Sequence, residues 1–365
     1  MPDTYRLRLP GPTAVPERVR NAIAEPLHSH RGPEFTEILR RTGQMLQPIL
    51  GTTNHVFFFA SSGTGMMEAA LVNILAPGER ILVATHGQFG ERFADIARVL
   101  GAQVDTFDAP WGRDLDPAEI EKRVAAQDYR AVVVVHNESS TGVVADLAAI
   151  GAILRDRPTL LVVDSVSGLG GIELRQDDWG IDIVASASQK ALMCPPGLGI
   201  ISMSGKAWQV VNRPDRLPRY YWDFRKARAS AEQTGTPFTT PVALVTGLHA
   251  ALAMIHEEGL PQVLSRHQRL SAQLRDGCEA LGLHSFPQAR HLSPTVVALK
   301  VPEGLHGKQI VRGLYDRFRT VIAGSRNKLD GKVIRIGTMG HIAEEDIRTD
   351  LQQLAEILKE IPHAR

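Results

Sequence analysis

The stretch LLVVDSVSGLGG, residues 160–171, decides the fold. Four consecutive apolar residues leave no polar face, so the strand they form must be buried on both sides, as strands of a parallel sheet are. The same texture recurs in HVFFF (55–59), RILVA (80–84), AVVVVH (131–136) and DIVAS (182–186). Helix-length segments at 66–75, 89–100 and 147–155 separate these runs. Strand and helix in alternation predict an α/β fold with a mostly parallel sheet flanked by helices. Ligands of such sheets bind beyond the carboxyl ends of the strands. LLVV delivers Asp164 to that edge.

After about Pro241 the texture changes. A long helical stretch, 242–258, runs into 262–281. PTVVALKVP (294–302), a helix near 307–318 and KVIRIGTMG (332–340) follow. This reads as a smaller C-terminal α+β domain. Three prolines among positions 2 to 12 make the first residues an arm lying across a surface. The expected division is an arm at 1–16, a large ligand-binding domain at 17–257 and a small domain at 258–365.

Bulk properties narrow the function. With 41 Lys plus Arg against 40 Asp plus Glu, the formal net charge of +1 gives no reason for a nucleic-acid or anionic-membrane partner. Two cysteines, Cys194 and Cys278, cannot form a disulfide framework in 365 residues, so a reducing compartment is expected. The opening MPDTYRLRLPGP lacks the apolar core and cleavage site of a signal peptide. No run approaches the roughly 18 apolar residues of a membrane span. The expectation is a cytoplasmic small-molecule enzyme.

Lys190, in SASQKALMCPPGLGIIS (186–202), ends one strand and precedes a Pro-Pro-Gly turn and another apolar strand. A lone lysine is ordinarily a surface residue. Here small polar neighbours and a fixed turn favour a desolvated amine, which can lose its proton and attack an aldehyde. Asp164 lies 26 residues earlier, about one strand–crossover–strand unit. Alone it reads as a helix cap; beside such a lysine, its carboxylate can keep a pyridine nitrogen protonated. SSGTGMMEAALVN (61–73) follows a strand and opens a helix whose first N–H groups suit a phosphate, or it is simply a tight turn. It is no dinucleotide fingerprint, because Glu68 occupies the third glycine position.

Other residues leave two readings each. Phe89 either stacks on an aromatic ligand or belongs to the core. The serines of HNESSTG (136–142) either meet a ligand or cap a helix. Arg335, among apolar residues, needs a partner, either a substrate carboxylate or an internal ion pair. His28 and His30 have metal-pair spacing but no completing cluster, so no metal is expected.

Together these segments resemble the class V, fold-type I aminotransferases, which use pyridoxal 5'-phosphate, and within them the alanine–glyoxylate and serine–glyoxylate group. The likeness runs through PGPTAVP (10–16), HRGPEF (30–35), SSGTG and EAALVN (61–73), GQFGER (87–92), ESSTG (138–142), VDSVSGLGG (163–171), SQKALMCPPGLG (188–199), RLPRYY (216–221), TPFTTPV (236–242) and GKVIRIGTMG (331–340). The resemblance implies that Lys190 holds the cofactor as a Schiff base and that Asp164 pairs with its ring nitrogen. Val166 and Phe89 would cover the two ring faces. Ser62, Gly63 and Thr64, with Gln189, would hold the phosphate, and Thr239 would reach it from a neighbouring subunit. Ser139 would sit near the ring oxygen and the substrate. Arg335 would bind the substrate carboxylate, and the Gly11 loop would wall the pocket.

Thr64 and Thr236 stand where some relatives have His and Tyr. A homodimer with shared active sites follows from the same comparison. The implied reaction is ping-pong transamination from alanine or serine to a 2-oxo acid, with glyoxylate the expected acceptor. Arg31, Arg219 and Arg225 are the candidates for a second carboxylate site. Alternatives are a cysteine desulfurase, which needs a mobile nucleophilic cysteine, and a cofactor-binding subunit without activity.

Overall fold

A computed structural model describes residues 5–231 and 235–361. Its centre is a seven-stranded sheet. In chain order the strands are β1 (Val56–Ser61), β2 (Arg80–Thr85), β3 (Gln103–Asp108), β4 (Ala131–Val135), β5 (Leu160–Asp164), β6 (Ile183–Ala187) and β7 (Gly197–Met203). Their spatial order is β1-β7-β6-β5-β4-β2-β3. Only β7 opposes the others, pairing antiparallel with β1 and β6. The remaining pairs are parallel, with Val162 opposite Ile183 and Val133 opposite Val162.

The unbroken apolar runs have a direct cause. Val132, Val134, Leu161 and Val163 join one buried cluster with the helices Pro33–Leu50 and Val242–Glu258. Ala131, Val133, Leu160 and Val162 join another with the helices Gly63–Ile74 and Gln88–Val99. Alternate residues on a strand point to opposite faces, and here both faces are dry. β3 departs from the expected set. It is the sheet edge, and its residues are half-buried or exposed. Asp105 there pairs with Arg80 at 3.0 Å and accepts a bond from the Tyr129 hydroxyl at 2.8 Å. A polar edge strand carries no apolar run to read.

Past Gly259 the chain enters helix Leu260–Ala280 and a three-stranded antiparallel sheet. Its strands are β8 (Val296–Lys300), β9 (Ala323–Gly324) and β10 (Val333–Gly337), with β10 in the middle. Helices Gly307–Phe318 and Glu344–Glu360 complete a separate core that includes Leu270, Leu299, Leu314, Ile334 and Leu354. The N-terminal arm begins against this unit, where Arg6–Leu7 and Thr320–Val321 pair in parallel as a separate two-stranded sheet. Arg8 is buried against Asp350, Nε to Oδ2 at 2.8 Å, and Arg6 reaches the other oxygen at 2.5 Å. The arm then crosses to the Lys190 turn, where the Thr13 hydroxyl donates to the Lys190 carbonyl at 2.9 Å.

Removing one partner of a buried ion pair strands the other charge. Asp350→Ala therefore lowers stability by about 3–5 kcal/mol, read as a fall in the urea midpoint. The exposed Arg18–Glu257 pair serves as the control, and Glu257→Ala should move the midpoint far less.

Candidate active site

Strand ends and helix starts gather at the carboxyl edge of the sheet. Lys190 lies in the turn after β6, closed by the Met193 N–H to the Lys190 carbonyl at 3.0 Å and the Cys194 N–H to the Ser188 carbonyl at 3.1 Å. Met193 adopts a left-handed conformation, φ 56°, to close it. The Lys190 ammonium donates to the Pro10 carbonyl at 2.5 Å. Burial pushes this amine down to about 8, with Arg335 and Arg92 adding to the shift and Asp164 opposing it. Gly11, at φ +108°, packs so closely that a Cβ there would overlap the lysine side chain.

Asp164 ends β5 and accepts the Val166 N–H at 2.8 Å. Burial pushes its carboxyl up to about 7, with a smaller contribution from Glu138. Between Asp164 and Lys190 lies a cavity of about 120 Å³. Ser62, Gly63 and Thr64 form one end; Phe89, Ser139, Val166 and Gln189 supply the walls. Ser62 caps helix Gly63–Ile74, its hydroxyl accepting from the Gly65 N–H at 3.2 Å. The helix's first N–H groups have no partners within the helix and attract anions. Position 63 must be glycine, because a Cβ would meet Val166 Cγ2 at 2.6 Å.

A larger cleft of about 890 Å³ shares Phe89, Arg92, Ser139 and Lys190 with this cavity. Arg335, from β10, lines it. Its guanidinium donates to the Ser139 carbonyl at 2.8 Å and the Gly324 carbonyl at 2.9 Å. Nε has no hydrogen-bond partner among the described residues. Among the described residues Arg335 makes no ion pair with a carboxylate, although the charge of buried Glu138 supports its protonated form, and both readings left open in the sequence stand.

Two contributors had escaped sequence reasoning. Arg92, one helical turn after Phe89, lies 4.7 Å over that ring and donates to the Thr64 hydroxyl at 3.1 Å. This brings a cation to the anion-attracting end; the (i, i+3) spacing with Phe89 is the signal that could have found it. Glu138 is fully buried and accepts the Phe89 and Gly90 N–H groups at 2.9 and 3.2 Å, as well as the Ser140 hydroxyl at 2.6 Å. It anchors the start of the helix that presents Phe89 and Arg92.

Some expected residues lie elsewhere. Thr239 lines a separate surface recess with His28 and His30. Arg31 donates to the Thr236 carbonyl at 2.6 Å, Arg225 pairs with Asp223 at 3.0 Å, and Arg219 donates to the Leu217 carbonyl at 2.9 Å. None of the three lines the cleft. Among the described residues, no group of three or more His, Cys, Asp or Glu side chains could hold a metal ion.

The donor set fits pyridoxal phosphate. A helix start with Arg92 suits a phosphate, and a buried carboxylate suits a protonated ring nitrogen. The amine suits an aldehyde. Capture of an aldehyde needs the neutral amine. The rate at which the cofactor-free protein takes up pyridoxal phosphate should therefore rise with pH, half-complete near 8, followed by absorbance. A midpoint near the usual lysine value of about 10.4 would contradict the buried setting. Gly11→Ala should slow uptake by displacing Lys190, measured in the same assay.

Residues 10–348 match the family model described as Aminotransferase class-V. The chain is 37% identical over 367 residues to the "Soluble hydrogenase 42 kDa subunit" of Anabaena cylindrica, covering 100% of this chain and 95% of that one. It is 37% identical over 343 residues to "L-aspartate--glyoxylate aminotransferase" of Paracoccus denitrificans, covering 92% and 86%. Its structure matches alanine–glyoxylate aminotransferase from Nostoc sp. with a TM-score of 0.94 at 30% identity, covering 98% and 96%. With its fold-type I architecture, the chain belongs to the class-V aminotransferase family, whose cofactor is pyridoxal phosphate.

Proposed function

We propose that the protein transfers an amino group from a small amino acid, alanine or serine, to glyoxylate by a ping-pong mechanism. One observation carries this reading: a buried amine of lowered basicity faces a buried carboxyl across one cavity and a carboxylate-seeking arginine across an adjoining cleft. Glyoxylate is taken from the relatives whose names include it. The function is read from the cleft rather than from the hydrogenase name of the Anabaena relative, because the cleft residues are those of amino transfer.

Ser62, Gly63 and Thr64, with Gln189, would hold the cofactor's phosphate, and Thr239 of a second copy would complete the site in a homodimer. Bound there, pyridoxal phosphate would supply an aldehyde and a ring that accepts electrons. Asp164 would hold the proton on the ring nitrogen, and Val166 and Phe89 would cover the ring faces. Ser139 lies at the boundary with the substrate cleft. Arg335 binds the substrate carboxylate and so aims its Cα at Lys190, while Gly11 leaves room for the lysine to move. Lys190 Nζ would hold the cofactor's aldehyde and, as a neutral amine, would serve as the base that takes the substrate's Cα proton and returns it. The same groups act in reverse order on the acceptor. A cytoplasmic location is part of this reading, supported by its two unpaired cysteines.

The desulfurase alternative needs an exposed thiolate. Cys194 and Cys278 are both buried, and burial pushes each thiol up to about 12. Neither can serve as that nucleophile. The inactive-subunit alternative leaves Lys190, Asp164 and Arg335 converging without a purpose.

Lys190→Ala should abolish turnover and the bound cofactor's Schiff-base absorbance; a yellow, active variant would refute the assignment. Asp164→Asn should retain cofactor yet lose roughly 10²–10⁴-fold in rate, as expected for removing one partner of a buried ion pair worth about 3–5 kcal/mol. A screen of acceptors tests glyoxylate, and a clear preference for 2-oxoglutarate would overturn it.

A further inference from the structure

Glu138 is fully buried, and its carboxylate is held by N–H and O–H donors instead of a cation. Oε2 accepts the N–H groups of Phe89 and Gly90, and Oε1 accepts the N–H and the hydroxyl of Ser140 at 3.1 and 2.6 Å. The Ser140 oxygen in turn accepts the Gln88 N–H at 2.9 Å. The first N–H groups of helix Gln88–Val99 are thus capped by a turn from a distant part of the chain, where a carboxylate is favoured by the helix dipole. Position 87 leaves no room for a side chain, because a Cβ there would overlap the Glu138 side chain.

The same turn meets Arg335. Glu138 pairs with Val143 across a short two-stranded ribbon, and its own carbonyl accepts the Gly142 N–H at 2.8 Å. Ser139, between the Glu138 and Ser140 ties, presents its carbonyl to the Arg335 guanidinium at 2.8 Å. The second hold on that guanidinium is another neutral oxygen, the Gly324 carbonyl. Glu138 supports the charge of Arg335 through space, while its oxygens are already spent on the helix start and on Ser140. The arginine therefore stays charged and steadied without being paired, which leaves it able to meet a planar, two-oxygen anion.

We propose that Glu138 is a positioning residue for substrate binding: through the turn at 138–140 it fixes the Ser139 carbonyl that aims Arg335 into the cleft. The inference rests on the transamination reading and deepens it. Without the Glu138 carboxylate the turn loses its ties to the helix start. The Ser139 carbonyl then shifts, and Arg335 keeps only its bond to Gly324. Because the other end of the tie is the Phe89 N–H, one carboxylate keeps the substrate arginine in register with the helix that lines the cofactor cavity. A residue that merely capped that helix would affect stability and leave carboxylate recognition alone.

The test uses the holoenzyme and the amino-transfer half-reaction with alanine, followed by loss of the cofactor's aldehyde-form absorbance. Native protein is compared with Glu138→Gln, Arg335→Gln and the double variant. Glutamine keeps the side chain's size but turns one acceptor into a donor facing other donors. Glu138→Gln should raise the half-saturating alanine concentration roughly 10–100-fold, the cost of losing hydrogen bonds to a charged group, and lower the maximal rate far less. In the Arg335→Gln background the same change should add little, because residues acting through one another are not additive. The dissociation constant of propionate, which has the carboxylate but no amine, should rise in Glu138→Gln by a similar factor. An equal loss in both backgrounds, or a fall in maximal rate alone, overturns the positioning role. If Glu138→Gln does not fold, Ser140→Ala removes a single tie and should show the same pattern at roughly 2–10-fold; an unchanged half-saturation there overturns the role as well. If the native enzyme reacts with neither alanine nor serine, the transamination reading itself falls, and this role with it.

Discussion

The desolvation of one amine organises this structure. Lys190 lies at the end of β6, closed in by the arm, and its ammonium faces the Pro10 carbonyl at 2.5 Å. Keeping a cation in such a place is costly, and the amine responds by giving up its proton more readily than an exposed lysine does. That response suits it to the nucleophile and base roles proposed for it. The surrounding groups either create the dry setting or exploit it.

The arm shows how much of the fold serves this end. Its first residues are strapped to the C-terminal unit by Arg6, Arg8 and Asp350, and the Arg8 carbonyl accepts the Gly337 N–H at the end of β10, the strand that carries Arg335. Its last residues, Pro10 to Thr13, close on Lys190. One short segment thus touches both Lys190 and the strand bearing Arg335. Glu138 does comparable work on the other side, fixing the helix start that presents Phe89 and Arg92. Buried polar groups with specific partners set the position of each reactive group within the cleft.

Much of this was legible in the sequence because its physics is local. Continuous apolar runs mark strands buried on both faces, and Asp164 and Lys190 occupy strand ends where ligands gather. A small-residue helix start at Ser62–Thr64 is visible without any contact map. What escaped depends on tertiary contacts. Arg92 looks like any helical arginine until Thr64 and the cavity are opposite it. Glu138 reads as one polar residue among several in HNESSTG, although its carboxylate is buried and caps a distant helix. β3 was missed for the opposite reason: as an edge strand it has only one well-covered neighbour and keeps a polar sequence.

The central claim is that one particular lysine, out of all in the chain, engages the cofactor. Borohydride reduction of the holoenzyme, followed by proteolysis and mass spectrometry, tests it most directly, because reduction freezes the cofactor on whichever amine holds it. The account predicts the modification on the peptide containing Lys190 alone. Modification of a different lysine, with Lys190 unmodified, would contradict it.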